Sequence, residues 1–291
     1  MEIQLKNGVY TAAAETMGGE LASLRDRQGR QRIWQGDPAV WSGRNPNLFP
    51  IVGGLKDGQV DIDGTVCRMG RHGFARRKEF AVAEQGEDFV VLALREDAET
   101  LEQYPFPFLL QVRHQLTETG FVTSFTVTNT GERPMPFCIG AHTAFICPVS
   151  PEEAFADYRL IFDEPETADA VLPGPDGCLL GEPGYALRGD AIPLDYGYFD
   201  RMDTLIFQGL RSHGVRLVNG AGQGVRMNFA DFPMIAFWTK PGAHAPYLCI
   251  EPWHGCAAYA DESGKFRDKP GCIVLEPGEA RTLAYTVTIL E

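Results

Sequence analysis

The chain is poor in the features that mark several large protein classes. None of its 291 residues falls in an uninterrupted apolar run of roughly 18, the length a membrane-spanning helix needs, so no membrane partner is expected. The opening MEIQLKNGVYTAAAE lacks the apolar core of roughly 7–15 residues that a secretory signal carries. The seven cysteines are odd in number, scattered, and contain no CxxC pair, which argues for reduced thiols in a cytoplasm rather than a disulfide framework. Basic residues are few: 26 against 39 acidic ones, a net charge of −13 that argues against a nucleic-acid backbone or an anionic membrane as partner. GxSxG, P-loop and HExxH motifs are missing, and GGL and GAGQG lack the rest of a dinucleotide fingerprint. His254 and Cys256 are close, but no second pair stands at zinc-ligand spacing, so no metal site is expected. No fixed-period repeat argues for a propeller or solenoid.

What the chain does have is strand pattern. Apolar residues make up 44%, enough for a large core. Short runs rich in β-branched and aromatic residues recur at 89–94, 121–128, 215–218, 247–250 and 283–289. FVTSFTVT and LAYTVTI alternate apolar with small polar residues, the period of a strand with one buried face. Asn7-Gly8, Asp57-Gly58, Asp63-Gly64 and Asn219-Gly220 are hairpin-type turn signals. Helix is scarce: 97–101 and 151–156 are the best short candidates. Segment 163–197, rich in Pro, Gly and acidic residues, reads either as an interdomain linker or, preferably, as a long excursion within one all-β unit. The expected fold is a large antiparallel β-sandwich or barrel-like protein with few short helices, residues 1–291 forming a single domain.

Three places concentrate ionisable side chains among glycines and apolar residues. GRHGFAR puts His72 between Gly70 and Gly73; it reads as a ligand-facing loop or as a hairpin with a satisfied histidine. FCIGAHTAF ends an apolar run at His142, an acid–base group near neutral pH or a core histidine bonded to backbone. YLCIEPW sets Glu251 directly after four strand residues. A buried carboxylate is costly, so it is kept for chemistry or paired with an arginine. Pro252 is expected to end that strand, and Trp253 offers an aromatic face suited to a sugar ring. His114, His213 and His244 read as structural or solvent-facing.

Together these segments resemble the aldose 1-epimerase (galactose mutarotase-like) superfamily, in its LacX-like branch. The resemblance rests on NLFPIVGGLKDG (47–58), MGRHGFAR (69–76), GAHTAF (140–145), DTLIF (203–207), CIEPWHG (249–255) and the closing KPGCIVLEPGEARTLAYTVTI. It implies a large antiparallel β-sandwich, a monomer or homodimer, that interconverts the anomers of a monosaccharide without a cofactor. On that resemblance Glu251 is the base at the C1 hydroxyl, His142 the acid at the ring oxygen, and His72 a hydrogen-bonding partner nearby. Asp203 would grip ring hydroxyls, with Arg44 and Arg76 as donors and Trp253 as a stacking face. A related branch acts on hexose 6-phosphates, which would need a cationic pocket built from Arg44, Lys56, Arg71, Arg76 or Arg77. A non-catalytic sugar-binding module, or a glycosidase pairing Glu251 with Asp203, are the competing readings. Thr143 stands where the branch usually has proline, Asn47 where an apolar residue is commoner, and His254 is not a fixed family feature.

Overall fold

The computed structural model describes residues 1–174 and 176–291. Every pairing between strands among the described residues is antiparallel, three isolated bridges alone being parallel, and fifteen strands join in one sheet. The alternating stretches form its most regular part. Phe108–Thr117, Gly120–Asn129 and Ala280–Leu290 lie side by side, each burying every second residue. Phe108, Leu110, Val112, Phe121, Phe125, Val127, Leu283, Tyr285 and Val287 thereby share one core. His114 belongs to this face too. Its Nδ1 lies 2.9 Å from Thr123 Oγ1 and its Nε2 2.9 Å from the Gly19 carbonyl oxygen, so both ring nitrogens are satisfied. Burial lowers its pKa to about 4, which keeps the ring neutral.

Asp63-Gly64 makes the turn between Gln59–Ile62 and Thr65–Arg68, with φ of 51° and 85° as a primed hairpin turn requires. The 163–197 segment differs from its expectation. It is mostly strand: Arg159–Pro173 and Leu179–Pro193 form a long hairpin with register shifts. Pro165 falls in one of these register shifts, and Leu179–Pro193 pairs with no other strand among the described residues, its first residue alone bridging Tyr259. Such an edge position tolerates residues without an N–H. Helix is confined to short pieces. Ala98–Gln103 starts on an Asp97–Thr100 capping box, Tyr196–Met202 follows, and Phe155–Asp157 is a single 3₁₀ turn. Among the described residues no helix is long and apolar enough to cross a membrane.

Candidate active site

Glu251 lies in Tyr247–His254, a strand buried along all but its last residue. Met234–Trp238 flanks it on one side, and Ile139–Ala141 followed by Thr143–Ile146 on the other. The strand runs through Pro252 instead of stopping there. The missing N–H falls at a break in the neighbouring edge, where no ladder bond is asked of it. On one side of the break Gly140 faces Trp253, and on the other Thr143 faces Ile250. The register is the same on both sides, so His142 stands opposite Glu251. Directly opposed residues direct their side chains to the same face, and His142 Nε2 lies 3.3 Å from Glu251 Oε1.

Both groups are strongly desolvated; Glu251 is 1% exposed and His142 8%. Burial, reinforced by the negative charge of Asp203, pushes the Glu251 carboxyl well above the usual carboxylate range. Burial, with the Arg76 charge adding to it, pulls His142 down to about 3. The two shifts have one cause: each charged form loses its water. Below the raised Glu251 value the pair therefore holds one proton between its members, either as carboxylic acid and imidazole or, after a transfer across 3.3 Å, as carboxylate and imidazolium. His142 Nδ1 is buried without a hydrogen-bond partner among the described residues.

His72 approaches from the GRHGFAR loop. It has φ of 66°, a left-handed conformation uncommon outside glycine. Its backbone N–H donates to Gly53 O at 2.8 Å, and Gly53 N–H donates to its Nδ1 at 3.0 Å. Nδ1 is thus an acceptor, and the neutral ring carries its proton on Nε2. Burial first, then the charges of His142, Arg76 and Arg71, hold its pKa well below 6.5. Both glycines of this arrangement are obligatory. A Cβ on Gly73 (φ 70°) would sit 2.3 Å from the Phe49 carbonyl oxygen, and one on Gly53 (φ 70°) 2.5 Å from the Ala257 methyl carbon. The His72 and His142 rings meet edge to face, centroids 5.7 Å apart.

These three residues face a cavity of about 570 Å³, within the size range of small-molecule sites. Asp203, Arg76 and Trp253 also line it. Asp203 terminates the Tyr196–Met202 helix at φ 57° and accepts a hydrogen bond from the Thr204 hydroxyl. Arg76 makes no ion pair among the described residues, and its buried Nε has no acceptor. Arg44 does not join them. Its guanidinium is held by Glu15 and Glu20, at 2.8 and 3.2 Å, and it does not line the cavity. The expected hydroxyl donor is instead a surface ion-pair residue. Of the other cations considered, Arg71 lines the cavity, whereas Lys56 donates to the Ala260 carbonyl oxygen and Arg77 stands outside.

Sequence reasoning missed Trp41, Trp238 and Lys240, all of which line the cavity. Trp41 covers the His142 ring (centroids 5.1 Å, 30°) and meets Trp238 edge-on at 5.2 Å. The one available signal was scarcity: the chain has four tryptophans, and three line this cavity. The residues that departed from the family pattern have plain structural roles. Thr143 Oγ1 donates to Asn45 Oδ1 at 2.7 Å, bracing the backbone beside His142. Asn47 Nδ2 donates to the Gly18 and Gly19 carbonyls. His254 donates from Nδ1 to the Gly271 carbonyl and lines a different cavity.

In this antiparallel β-sandwich a buried carboxylate–imidazole pair faces an aromatic-walled pocket, an arrangement chemically able to exchange protons with a bound ligand. The comparisons give the family. The aldose 1-epimerase family model matches residues 1–288, and the chain belongs to that family. It is 34% identical over 300 residues to the chromosomal protein LacX of Lactococcus lactis subsp. lactis, covering 100% of both chains. It is similar in structure to a galactose mutarotase-like protein from Lactobacillus casei (TM-score 0.93, 28% identity, covering 99% of this chain and 100% of that one). A galactose mutarotase related enzyme from Lactobacillus acidophilus is similar as well (TM-score 0.92, 27% identity, covering 100% and 98%). The fold is accordingly the large antiparallel galactose mutarotase-like sandwich.

Proposed function

We propose that the protein is an aldose 1-epimerase, interconverting the α and β anomers of an aldose by acid–base ring opening and closure. One observation carries this reading: Glu251 and His142 stand 3.3 Å apart and line one cavity that His72 also faces. Anomerisation asks for one proton removed and one delivered, at two oxygens on the same carbon. The Glu251 carboxylate takes the proton of the C1 hydroxyl. The His142 imidazolium protonates the ring oxygen as the C1–O bond of the ring breaks. His72, its Nε2–H fixed as a donor by Gly53, hydrogen-bonds to oxygen at the reacting centre. The open aldehyde turns about C1–C2 and recloses from its other face with the proton transfers reversed. Asp203 accepts from ring hydroxyls, and Trp41, Trp238 and Trp253 offer apolar faces to the sugar's C–H surface.

A second reading of the substrate is favoured by the cations. Arg71 and Arg76 line the cavity without an ion-pair partner among the described residues, and Lys240 joins them. In a chain of net charge −13 this suits an aldose bearing an anionic group such as a phosphate monoester. The test is an anomerisation screen. Freshly dissolved single anomers of free aldoses and of their 6-phosphates are followed by polarimetry and by the C1 proton resonance. Acceleration by the protein is expected for at least one series, and the faster series identifies the substrate class. Binding of a sugar without acceleration would sink the enzymatic reading. Release of aglycone from a chromogenic glycoside, which is not expected, would favour the glycosidase.

A further inference from the structure

The proposed chemistry makes no use of Cys249, yet this thiol lies beside the acid–base pair. Cys249 and Glu251 are two residues apart on one strand and so share a face. His142 comes from the broken edge opposite. A ring nitrogen of His142, Cys249 Sγ and a Glu251 carboxylate oxygen all lie within 4.8 Å of one another, and all three residues are buried.

We propose that His142, Cys249 and Glu251 bind one thiophilic divalent cation, Zn²⁺ being the best fit, and that its occupancy switches off the acid–base pair. Zinc bonds of roughly 2.0–2.1 Å to nitrogen and oxygen at tetrahedral angles put those two atoms roughly 3.3–3.4 Å apart. His142 Nε2 and Glu251 Oε1 are 3.3 Å apart. Charge agrees as well. A thiolate and a carboxylate together neutralise a divalent cation, so the filled site carries no net charge into a low-dielectric interior. The mixed sulfur, nitrogen and oxygen set suits zinc or cobalt; Mg²⁺ and Ca²⁺ prefer all-oxygen shells. Three protein ligands leave the fourth position open, and His142 and Glu251 both line the cavity through which an ion would enter. Trp34, Trp41, Trp238 and Tyr247 surround Cys249 and shield the thiolate from bulk water. Coordination requires thiolate and carboxylate, so the thiol proton and the proton held by the acid–base pair leave to solvent, and binding tightens as pH rises. A metal on Glu251 occupies the lone pair that would accept the C1 hydroxyl proton, so loaded protein is inactive.

The experiment reads binding separately from turnover. Full-length protein freed of metal by a chelator is titrated with Co²⁺. The expected result is saturation near one equivalent, with a thiolate-to-cobalt charge-transfer band and the intense visible bands of a tetrahedral site. Zn²⁺ should displace the cobalt, and Mg²⁺ should not. Cys249→Ser and Cys249→Ala, checked for native thermal unfolding, should lose the charge-transfer band and at least tenfold in affinity, on the order seen when metal sites lose a supporting group. Cys138→Ser and Cys272→Ser should keep both. Absence of a thiolate band, or its survival in both Cys249 variants, overturns the site. Where a sugar is turned over, Zn²⁺ should inhibit the wild type at least tenfold more strongly than Cys249→Ser, whose metal-free rate stays within a few-fold of wild type. Equal inhibition of the two overturns the switch. If no sugar is turned over, the cobalt result still decides the site.

Discussion

The acid–base pair ties function to instability through its proton. The Glu251 pKa is raised on folding, so between 4.5 and that raised value this carboxyl holds more proton in the native state than in the unfolded state. Its own contribution to stability therefore falls as pH rises through this window, opposite in sign to the depressed His72, His114 and His142 below 6.5. A glutamine at 251 cannot ionise and escapes the loss. Glu251→Gln should thus abolish anomerisation, by about 10²–10⁴-fold or more, while unfolding at the same or a higher temperature than wild type near neutral pH. A large drop in melting temperature together with near-normal turnover would remove Glu251 from the role of base. The same raised value sets the pH profile. Activity should fall on the alkaline side, as pH rises through that raised value, because the pair then loses the one proton it must deliver to the ring oxygen. His142→Asn should lower turnover more than sugar affinity, since in the proposed reaction the imidazole delivers its proton only as the ring opens.

At the scale of elements, the site depends on a strand edge that breaks in register and on a loop bent into place by glycines. Gly73→Ala places a Cβ 2.3 Å from a carbonyl oxygen at φ 70° and must displace the loop. It should cost roughly 1–3 kcal/mol in chemical denaturation and lower turnover disproportionately, because His72 is the next residue. Asp97→Ala is the opposite case. It removes the N-cap of Ala98–Gln103, none of whose residues lines the cavity, and should cost about 1 kcal/mol with turnover unchanged. Much of the element layer was legible in the sequence. The alternation of FVTSFTVT and LAYTVTI became Gly120–Asn129 and Ala280–Leu290. Less legible was Arg159–Pro173 with Leu179–Pro193, because proline and glycine read as loop unless it is known that the strand lies at a sheet edge. Pro252 misled for a related reason: a proline stops a strand only where its neighbour asks for an N–H.

Across the whole molecule, the field of a chain of net charge −13 is opposed at a cavity lined by Arg71, Arg76 and Lys240. Steering by such a field is screened by salt, and only a charged ligand feels it. If a sugar phosphate is the substrate, its KM should rise as ionic strength increases, while that of the corresponding neutral sugar stays nearly constant. Arg71→Ala should raise the phosphate's KM by at least tenfold and leave the neutral sugar within a few-fold, since it removes only the anion's partner. Equal effects on both would assign Arg71 to general shaping of the pocket.

The sequence by itself determined the sheet-rich architecture and singled out the candidate acid–base side chains, because alternation, turn glycines and a carboxylate set in an apolar run are local patterns. Only the tertiary structure decided which of them meet. His142 faces Glu251 because two stretches more than a hundred residues apart share one register across a gap at Pro252. Arg44 is lost to Glu15 and Glu20, and Trp41 and Trp238 are gained, for the same reason. Cross-strand neighbours are set by how the whole sheet is assembled, and no local pattern encodes that arrangement.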